Sequence, residues 1–287
     1  MAQPEAHHLR RARLRPGRGR GDRGRPSRED GPSVRTPGGQ AAGAAAAQGS
    51  AHRGEAFIRI ADRLYQFEAG GFVNAYLVES GSDLTLVDTG HSRSAGALLR
   101  ELRANGFSPK DIGRVVLTHA HPDHAGGIGA LKELRHIRVY AHSKELPVLH
   151  GKARVSRPEG FAGTLLRFAG ERLLPWSRAE AAFAIEPGTP VRGIPQWQVL
   201  HTPGHTAGSV SLFNPVSQIL ICGDALSSRG GTLHALWRGF NQDNAALRRS
   251  VEALAKLDCD ILCCGHGPVV RGGAFRHIEA VLKALRP

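Results

Sequence analysis

The sequence contains few cysteines, and none of them is in a Cys-x-x-Cys pair. Four are present among the 287 residues, at Cys222, Cys259, Cys263 and Cys264. In a chain of this size, so few and so unpaired cysteines are typical of reduced, mostly buried thiols. They favour a cytoplasmic protein.

Long apolar segments are also missing. No run reaches the roughly 18 apolar residues that a membrane-spanning helix needs. The alanines within residues 41–47 are too weakly apolar, and too far along the chain, for the core of a signal peptide. We therefore expect no membrane span and no membrane partner.

Aromatic residues are absent from residues 1–54, which are rich in Arg, Gly, Pro and Ala. This stretch carries 11 Arg against 4 acidic residues, so it supplies +7 of the formal net charge of +13. It can bury too little to offset the entropy of ordering, which predicts a disordered tail. Arginines without interleaved aromatic residues predict at most weak, non-specific contact with nucleic acid. The alternative is a solvated stretch without a role.

Residues 55–287 have the composition of one well-buried domain. Groups of β-type runs are flanked by helical patterns rather than alternating strictly with them, which favours an α/β (α+β) fold of layered sheets covered by helices. The predicted strands cover residues 57–60, 64–67, 72–78, 84–87, 114–118, 137–140, 197–200, 209–213, 219–222 and 261–264. The predicted helices cover residues 92–105, a segment through Leu131 and Leu134, and residues 244–257 and 274–285.

A dense group of histidines and acids follows the predicted strand 114–118. His119, His121, Asp123 and His124 fall within six consecutive positions. Burying them together is unfavourable unless something compensates for their lost hydration. A divalent cation does so, because imidazole nitrogen and carboxylate oxygen are usual ligands of zinc. In an extended backbone His119 and His121 point the same way, whereas the other two face a neighbouring point, which favours two ions over one.

Further along the chain, three more residues could act as metal ligands. His205 lies in a tight turn between two predicted strands, and Asp224 ends a strand. His266 ends another strand and is flanked by Gly265 and Gly267. Ligands at strand ends, with glycine admitting a close approach of the backbone, form a rigid cage at a sheet edge.

Together these residues resemble the metal-binding pattern of the metallo-β-lactamase superfamily in order and approximate separation. The resemblance rests on His119-x-His121-x-Asp123-His124, followed by His205, Asp224 and His266. The segments 87–90 (Val-Asp-Thr-Gly) and 202–206 (Thr-Pro-Gly-His-Thr) are similar to further features of that family, and the likeness spans roughly residues 57–285. It implies an αββα sandwich, two mixed sheets between helical layers, with the metal site at one sheet edge.

The resemblance also implies a role for each residue. One ion would take His119, His121 and His205, the other would take Asp123, His124 and His266, and Asp224 would bridge them. Asp88 matches a position that supports the ligands from behind, where a carboxylate can orient an imidazole. Zinc is the expected metal, with iron or manganese as alternatives.

The expected reaction is hydrolysis by a hydroxide shared between two ions about 3.5–4 Å apart. Asp123 would pass a proton to the leaving group. The class of substrate that we expect is a small molecule with an ester, thioester or lactone. An iron-dependent redox member similar to persulfide dioxygenases, and a phosphodiesterase or nuclease, stay open as alternatives.

Two regions are expected near the substrate. The early hairpin offers Phe72 and Asn74, and the segment after Asp224 offers His234 and Trp237. Residues 143–185 contain helix-like pieces interrupted by prolines, together with several large apolar side chains. We interpret this stretch as a helical insertion near the pocket, with ordinary peripheral packing as the alternative.

Overall fold

The computed structural model describes residues 56–69, 71–81, 83–155, 177–179 and 182–284. The predicted tail and most of the predicted insertion lie outside these ranges. The strands are β1 Ala56–Ala61, β2 Leu64–Ala69, β3 Val73–Ser80, β4 Asp83–Val87, β5 Ile112–Val116, β6 Arg138–His142, β7 Ala182–Ile185, β8 Pro190–Val191, β9 Ile194–His201, β10 Val210–Asn214, β11 Ile219–Gly223, β12 Ser227–Arg229, β13 Thr232–His234, β14 Ile261–Cys264 and β15 Val270–Arg271. The helices are α1 Ala95–Ala104, α2 Pro122–Ala125, α3 Ile128–Leu134, α4 Leu146–Leu149, α5 Asn244–Leu254 and α6 Ala274–Ala284, with 3-10 turns at Ser92–Ser94, Pro109–Asp111, Ser143–Glu145 and Arg238–Phe240.

The strands form two large mixed sheets and one small hairpin. The first sheet has the order β1-β2-β3-β4-β5-β6-β7, antiparallel from β1 to β4 and parallel from β4 to β7. The second has the order β15-β14-β11-β10-β9-β8, in which only β14 and β11 run parallel. Strands β12 and β13 pair with each other. Both sheets are mixed, as expected.

The inner faces of the two large sheets pack against each other. Val87 and Val116 of the first sheet belong to one buried cluster with Val199, Leu212 and Ile221 of the second. Side chains alternate between the faces of a strand, so the neighbours of these residues point outward. Each sheet therefore needs a second apolar layer on its outer face.

Helices supply those outer layers. Leu86 of the first sheet packs in a buried cluster with Leu98 of α1, whose apolar residues recur at helical spacing. On the second sheet, Leu220 packs with Val251 of α5 and Ile278 of α6. The order of layers is helix, sheet, sheet, helix, which confirms the αββα sandwich.

The structure differs from the sequence prediction in short elements. Strand β7, which ends the stretch interpreted as a helical insertion, pairs in parallel with β6 and forms the edge of the first sheet, so the helical interpretation is wrong there. Strands β8, β12, β13 and β15 were not predicted, because two or three residues carry no periodicity. The predicted helix 92–105 begins with a 3-10 turn at Ser92–Ser94. Among the described residues, no helix is both long and apolar enough to cross a bilayer.

Candidate metal centre

The predicted metal ligands and Asp88 all follow strands whose ends meet at one edge of the sandwich. The carboxyl ends of parallel strands lie side by side, and β4 with β5, and β11 with β14, are such pairs. Asp88 follows β4, residues 119–124 follow β5, His205 lies between β9 and β10, Asp224 follows β11 and His266 follows β14. The first two segments belong to one sheet and the last three to the other.

The first triad consists of His119, His121 and His205. One ring nitrogen of each lies within 4.8 Å of the others, and His205 Nε2 is 2.9 Å from His121 Nδ1. His119 is fully buried, and its Nε2 has no hydrogen-bond partner among the described residues. A buried ring nitrogen without a partner, beside two more ring nitrogens, is unfavourable unless a cation binds them.

The second triad consists of Asp123, His124 and His266. Asp123 Oδ2 lies 3.7 Å from His124 Nε2 and 3.6 Å from His266 Nε2. The two ring nitrogens are 3.4 Å apart. Three ligand atoms of mixed nitrogen and oxygen type therefore face a common point.

Asp224 lies between the two triads and is almost fully buried. Its Oδ2 is 3.5 Å from His205 Nε2 and 3.2 Å from His266 Nε2. Its Oδ1 is 3.4 Å from His124 Nε2. One carboxylate therefore faces ring nitrogens of both triads, in the position that a bridging ligand needs.

Asp88 lies behind the ligands rather than among them. Its Oδ2 is 2.9 Å from His124 Nδ1, which leaves Nε2 of that ring facing Asp123 and Asp224. A carboxylate at Nδ1 holds the proton there and orients the ring. Asp88 has a positive φ of 58°, a backbone conformation that residues other than glycine seldom adopt.

The histidines of the first triad stay neutral near pH 7. Burial, with help from His121, lowers the pKa of His205 to about 4. Burial and the neighbouring His124 hold the pKa of His119 well below its usual value, and burial also lowers the pKa of His121. Their ring nitrogens therefore keep lone pairs available for a cation.

The second triad has the opposite electrostatics. Burial opposes charge on His266, but Asp224 outweighs it and raises the pKa of His266 to about 9. Burial is likewise outweighed at His124, where Asp224, Asp123 and Asp88 raise the pKa well above its usual value. The same pairing, against burial, lowers the pKa of Asp224 and of Asp123. The carboxylates therefore favour positive charge at this triad. A bound cation can supply that charge in place of protonated imidazoles.

The donor set fits divalent metal ions. It contains five imidazoles and two carboxylates and no thiolate. Zinc accepts such nitrogen and oxygen ligands, and iron and manganese do so too. The unpartnered Nε2 of His119 points to the same conclusion.

The two residues predicted in the early hairpin have different places. Phe72 has 46% of its surface exposed, its ring stacks on His91 and His266, and its carbonyl oxygen accepts a hydrogen bond from His266 Nδ1. Asn74 is fully buried, so its assignment to the pocket is wrong. Its amide instead donates to the carbonyl oxygens of Cys264 and Gly267, at 3.0 and 2.7 Å. It fixes the loop that carries His266.

The segment after Asp224 lies along the rim of the site. Its start is bonded to the His266 loop, where Ser228 N donates to His266 O at 3.0 Å. Its end is bonded to the His205 turn, where Gln242 N donates to the carbonyl oxygen of His205 at 3.2 Å. His234 and Trp237 are exposed between these two anchors.

Sequence reasoning missed three residues that hold the site together. Tyr76 Oη donates to Cys264 O at 2.6 Å, and Gln66 Nε2 donates to Asn74 Oδ1 at 2.8 Å. The third is Glu145, a buried acid beside the first triad. Nothing in the local pattern distinguishes these residues from others on their strands and turns. The partners of Tyr76 and Glu145 are distant in sequence, and Gln66 bonds Asn74 on the neighbouring strand β3.

Several known proteins are similar to this chain. A family model described as the metallo-beta-lactamase superfamily matches residues 69–266, well over half of the chain. The probable metallo-hydrolase YflN of Bacillus subtilis is 28% identical over 222 residues, which cover 71% of this chain and 83% of YflN. A metallo-beta-lactamase family protein of Thermus thermophilus, TTHA1429, has a TM-score of 0.58 at 24% identity, over 79% of this chain and 80% of its own. TTHA1623, whose crystal structure is of a di-iron-bound form, has a TM-score of 0.52 at 28% identity, over 69% of this chain and 89% of its own.

Proposed function

Because this chain belongs to the metallo-beta-lactamase superfamily, and its relatives include probable metallo-hydrolases, we propose that it is a dinuclear hydrolase of small molecules. The proposed bond is an ester, thioester or lactone, and the proposed metal is zinc. The observation that carries the proposal is Asp224, whose carboxylate faces ring nitrogens of both triads.

The ligands divide as the two triads do. His119, His121 and His205 would hold one ion, and Asp123, His124 and His266 the other, with Asp224 shared. Two such ions supply Lewis acidity and make water a nucleophile at neutral pH. The side chains of the protein would then orient the metal ligands and move the proton.

Asp123 is the residue that we propose to move a proton. Its side chain is one-quarter exposed, more than that of His124 or Asp224, so it can reach substrate. Nearby His124 and His266, against the effect of burial, lower the pKa of this carboxyl, so it is ionised at neutral pH. A carboxylate oxygen in that state can accept a proton and deliver it to the leaving atom.

The proposed substrate class is supported by the aromatic rim, which we define as Phe72, Trp237 and Phe240. Their exposed fractions are 46%, 58% and 40%. The rings of Trp237 and Phe240 meet edge to face with centroids 5.2 Å apart. Exposed aromatic surface beside a polar centre binds an acyl chain or lactone ring better than a bulky polyanion.

An iron-dependent redox reaction is the second candidate. The observation that favours it is TTHA1623, a structural neighbour that binds two iron ions. Iron accepts the same nitrogen and oxygen ligands. The metal that the purified protein carries, together with oxygen consumption, separates the two candidates.

The proposed partner is a small-molecule substrate and the proposed compartment is the cytoplasm. All four cysteines are free and buried, as a reducing compartment would leave them. Neither nucleic acid nor a membrane enters the proposal.

The test combines metal analysis with a substrate panel. The full chain is purified, its metal content is measured, and turnover of esters, thioesters, lactones and phosphodiesters is assayed before and after chelation. We expect two zinc ions per chain and hydrolysis that chelation abolishes and zinc restores. His119→Ala should lose turnover, whereas His277→Ala, at an exposed histidine of α6, should keep it.

Two outcomes would contradict the proposal. Hydrolysis that survives exhaustive chelation would exclude a metal mechanism. Cleavage of phosphodiesters alone would exclude the substrate class. Iron with oxygen-dependent turnover of a persulfide would favour the second candidate.

A further inference from the structure

Glu145 is a buried acid that ends the 3-10 turn after β6, with 5% of its surface exposed. Both of its carboxylate oxygens accept hydrogen bonds. Oε2 accepts from Ala120 N at 2.9 Å, and Oε1 accepts from Thr206 Oγ1 at 2.8 Å and from Gly208 N at 2.9 Å. Because these donors are in two separate loops, one side chain joins the loops together.

The two loops are those that carry the first triad. Ala120 lies between His119 and His121, in the segment after β5 of the first sheet. Thr206 directly follows His205, in the turn between β9 and β10 of the second sheet. Glu145 therefore links a loop of the first sheet to a loop of the second. The link lies where His119 and His121 face His205.

The space around the carboxylate is closed. A Cβ atom at Gly208 would lie 2.5 Å from Glu145 Oε1 and 2.7 Å from its Cγ. Hydrogen bonds from backbone N–H to a carboxylate are short and strong, and a buried acceptor that lost them would be costly. Glu145 thus has little free space beside Gly208, and its hydrogen bonds tie its carboxylate to both loops.

The second triad is held by other residues. His124 is oriented by Asp88, and the loop of His266 is fixed by Asn74 and Tyr76. Among the hydrogen bonds of the described residues, none joins Glu145 to Asp123, His124 or His266. Glu145 therefore supports the loops of the first triad and not those of the second.

We propose that Glu145 is the positioning residue of the first triad. Its carboxylate sets the separation between the His119–His121 pair and His205, and thereby the affinity of that triad for its ion. The second triad does not depend on it. This inference rests on the proposed two-ion centre, and it concerns one half of that centre only.

The test is a metal titration of Glu145→Gln in the full chain. The amide keeps the size of the side chain, but its nitrogen cannot accept from a donor, so one loop loses its bond. The chelated protein is titrated with zinc alone against a chromophoric competitor. We expect one ion at wild-type affinity and the other weakened by about 10- to 100-fold, the usual effect of losing a residue that supports ligands. Glu133→Gln, at an exposed acid of α3, is the matched control and should change neither affinity.

Single-triad backgrounds assign the weakened ion. His266→Ala retains the first triad and His205→Ala retains the second. Adding Glu145→Gln should weaken zinc binding in the His266→Ala background and leave it unchanged in the His205→Ala background. If Glu145→Gln does not fold, Thr206→Val takes its place, because it removes one donor to Oε1 and keeps the acid; a smaller loss at the first triad alone is then expected.

The contradicting outcomes are distinct. Two ions bound at wild-type affinity, or two ions weakened equally, would overturn the role of Glu145 while leaving the proposed function in place. A wild-type chain that binds no zinc would overturn the proposed function and this inference together.

Discussion

Thr118 Oγ1 lies 2.7 Å from Asp88 Oδ2, and the backbone N–H of Thr118 donates to Asp88 Oδ1 at 2.8 Å. The same hydroxyl is 3.1 Å from His119 Nδ1. Since Asp88 also bonds His124 directly, one buried carboxylate supports a histidine of each triad, the first through Thr118 and the second without an intermediary.

Replacing Asp88 should therefore affect both triads at once. In Asp88→Asn the amide keeps its size, but one oxygen is lost as an acceptor for Thr118 and His124. We expect zinc affinity and kcat/KM to fall by about 10- to 100-fold, as is usual for residues behind metal ligands. Zinc titration and steady-state kinetics measure this. Asp111→Asn, at an exposed acid, is the control, and an unchanged affinity in Asp88→Asn would contradict the prediction.

Asn74→Ala should loosen the loop that carries His266. Gly267 O loses the amide that donates to it at 2.7 Å, and Gln66 Nε2 loses its acceptor. Leaving buried polar groups unpaired costs about 1–3 kcal/mol, so the free energy of unfolding should fall by that order. Urea denaturation measures it. Asn105→Ala removes a comparable bond at an exposed helix end and should cost much less, so equal losses in the two variants would argue against a clamp at Asn74.

Gly265→Ala should displace two ligands: Asp224, which faces both triads, and His124 of the second triad. A Cβ atom there would collide with Asp224 Oδ1 and would lie 2.7 Å from Cε1 of the His124 ring. Both side chains are buried, so displacing them is unfavourable and we expect loss of turnover and of bound zinc. The control is Gly113→Ala, where a Cβ meets nothing within 4 Å. Full metal content in Gly265→Ala would show that the site tolerates the displacement.

Trp237→Ala should raise KM for acyl substrates about 10-fold and leave kcat nearly unchanged, because the aromatic rim binds substrate and transition state alike. Steady-state kinetics on esters of increasing chain length measure it, and the effect should grow with chain length. Phe183→Ala removes another exposed aromatic residue, from the edge strand β7, and should change neither constant. A fall in kcat alone would place Trp237 in another role.

His142 should make stability depend on pH. Burial and the ring of His201, stacked on it with centroids 4.4 Å apart, lower the pKa of His142, and its Nδ1 accepts from Lys144 N at 3.2 Å. Glu186, Lys144 and Glu145 also act on it electrostatically. A histidine whose pKa is lower when folded binds fewer protons than in the unfolded chain, so stability present above about pH 6.5 is lost as pH falls.

The measurement is urea unfolding of the zinc-loaded protein between pH 7.5 and 5.5. Stability should fall toward acid, and one histidine contributes at most about 1.4 kcal/mol per pH unit. His142→Asn, which can still accept the bond from Lys144, should show a shallower dependence. Parallel curves for the two proteins would exclude His142 as a source of the slope.

Much of the fold was predictable because periodicity is a local property. Strand β14 has the predicted bounds, and β4 and β11 differ by a single residue at one end. The edge strand β7 was missed because its partner β6 comes from more than 35 residues earlier in the chain, and because a strand of four residues is too short to show a periodic pattern. In the described part of the fold, the differences from prediction are therefore mainly short strands. These form because they pair with a neighbouring strand, not because their residues have a strong β propensity.

The site divides in the same way. The density of His119 to His124, and the family pattern that adds His205, Asp224 and His266, could be recognised from residue types alone. Asn74 was misassigned because its distance in sequence from Cys264, 190 residues, hides the bond that buries it. Glu145 and Tyr76 were missed for the same reason.

The amino-acid sequence by itself determined which ligand types this protein offers and which strand ends carry them, because both are set by residues a few positions apart. Only the tertiary structure decided which carboxylates, amides and hydroxyls stand behind those ligands. Asp88, Asn74 and Glu145 bond residues 25 or more positions away in the chain. The bond of Asp88 exists only after β4 and β5 have paired, and those of Asn74 to Cys264 and of Glu145 to Thr206 exist only after the two sheets have packed face to face.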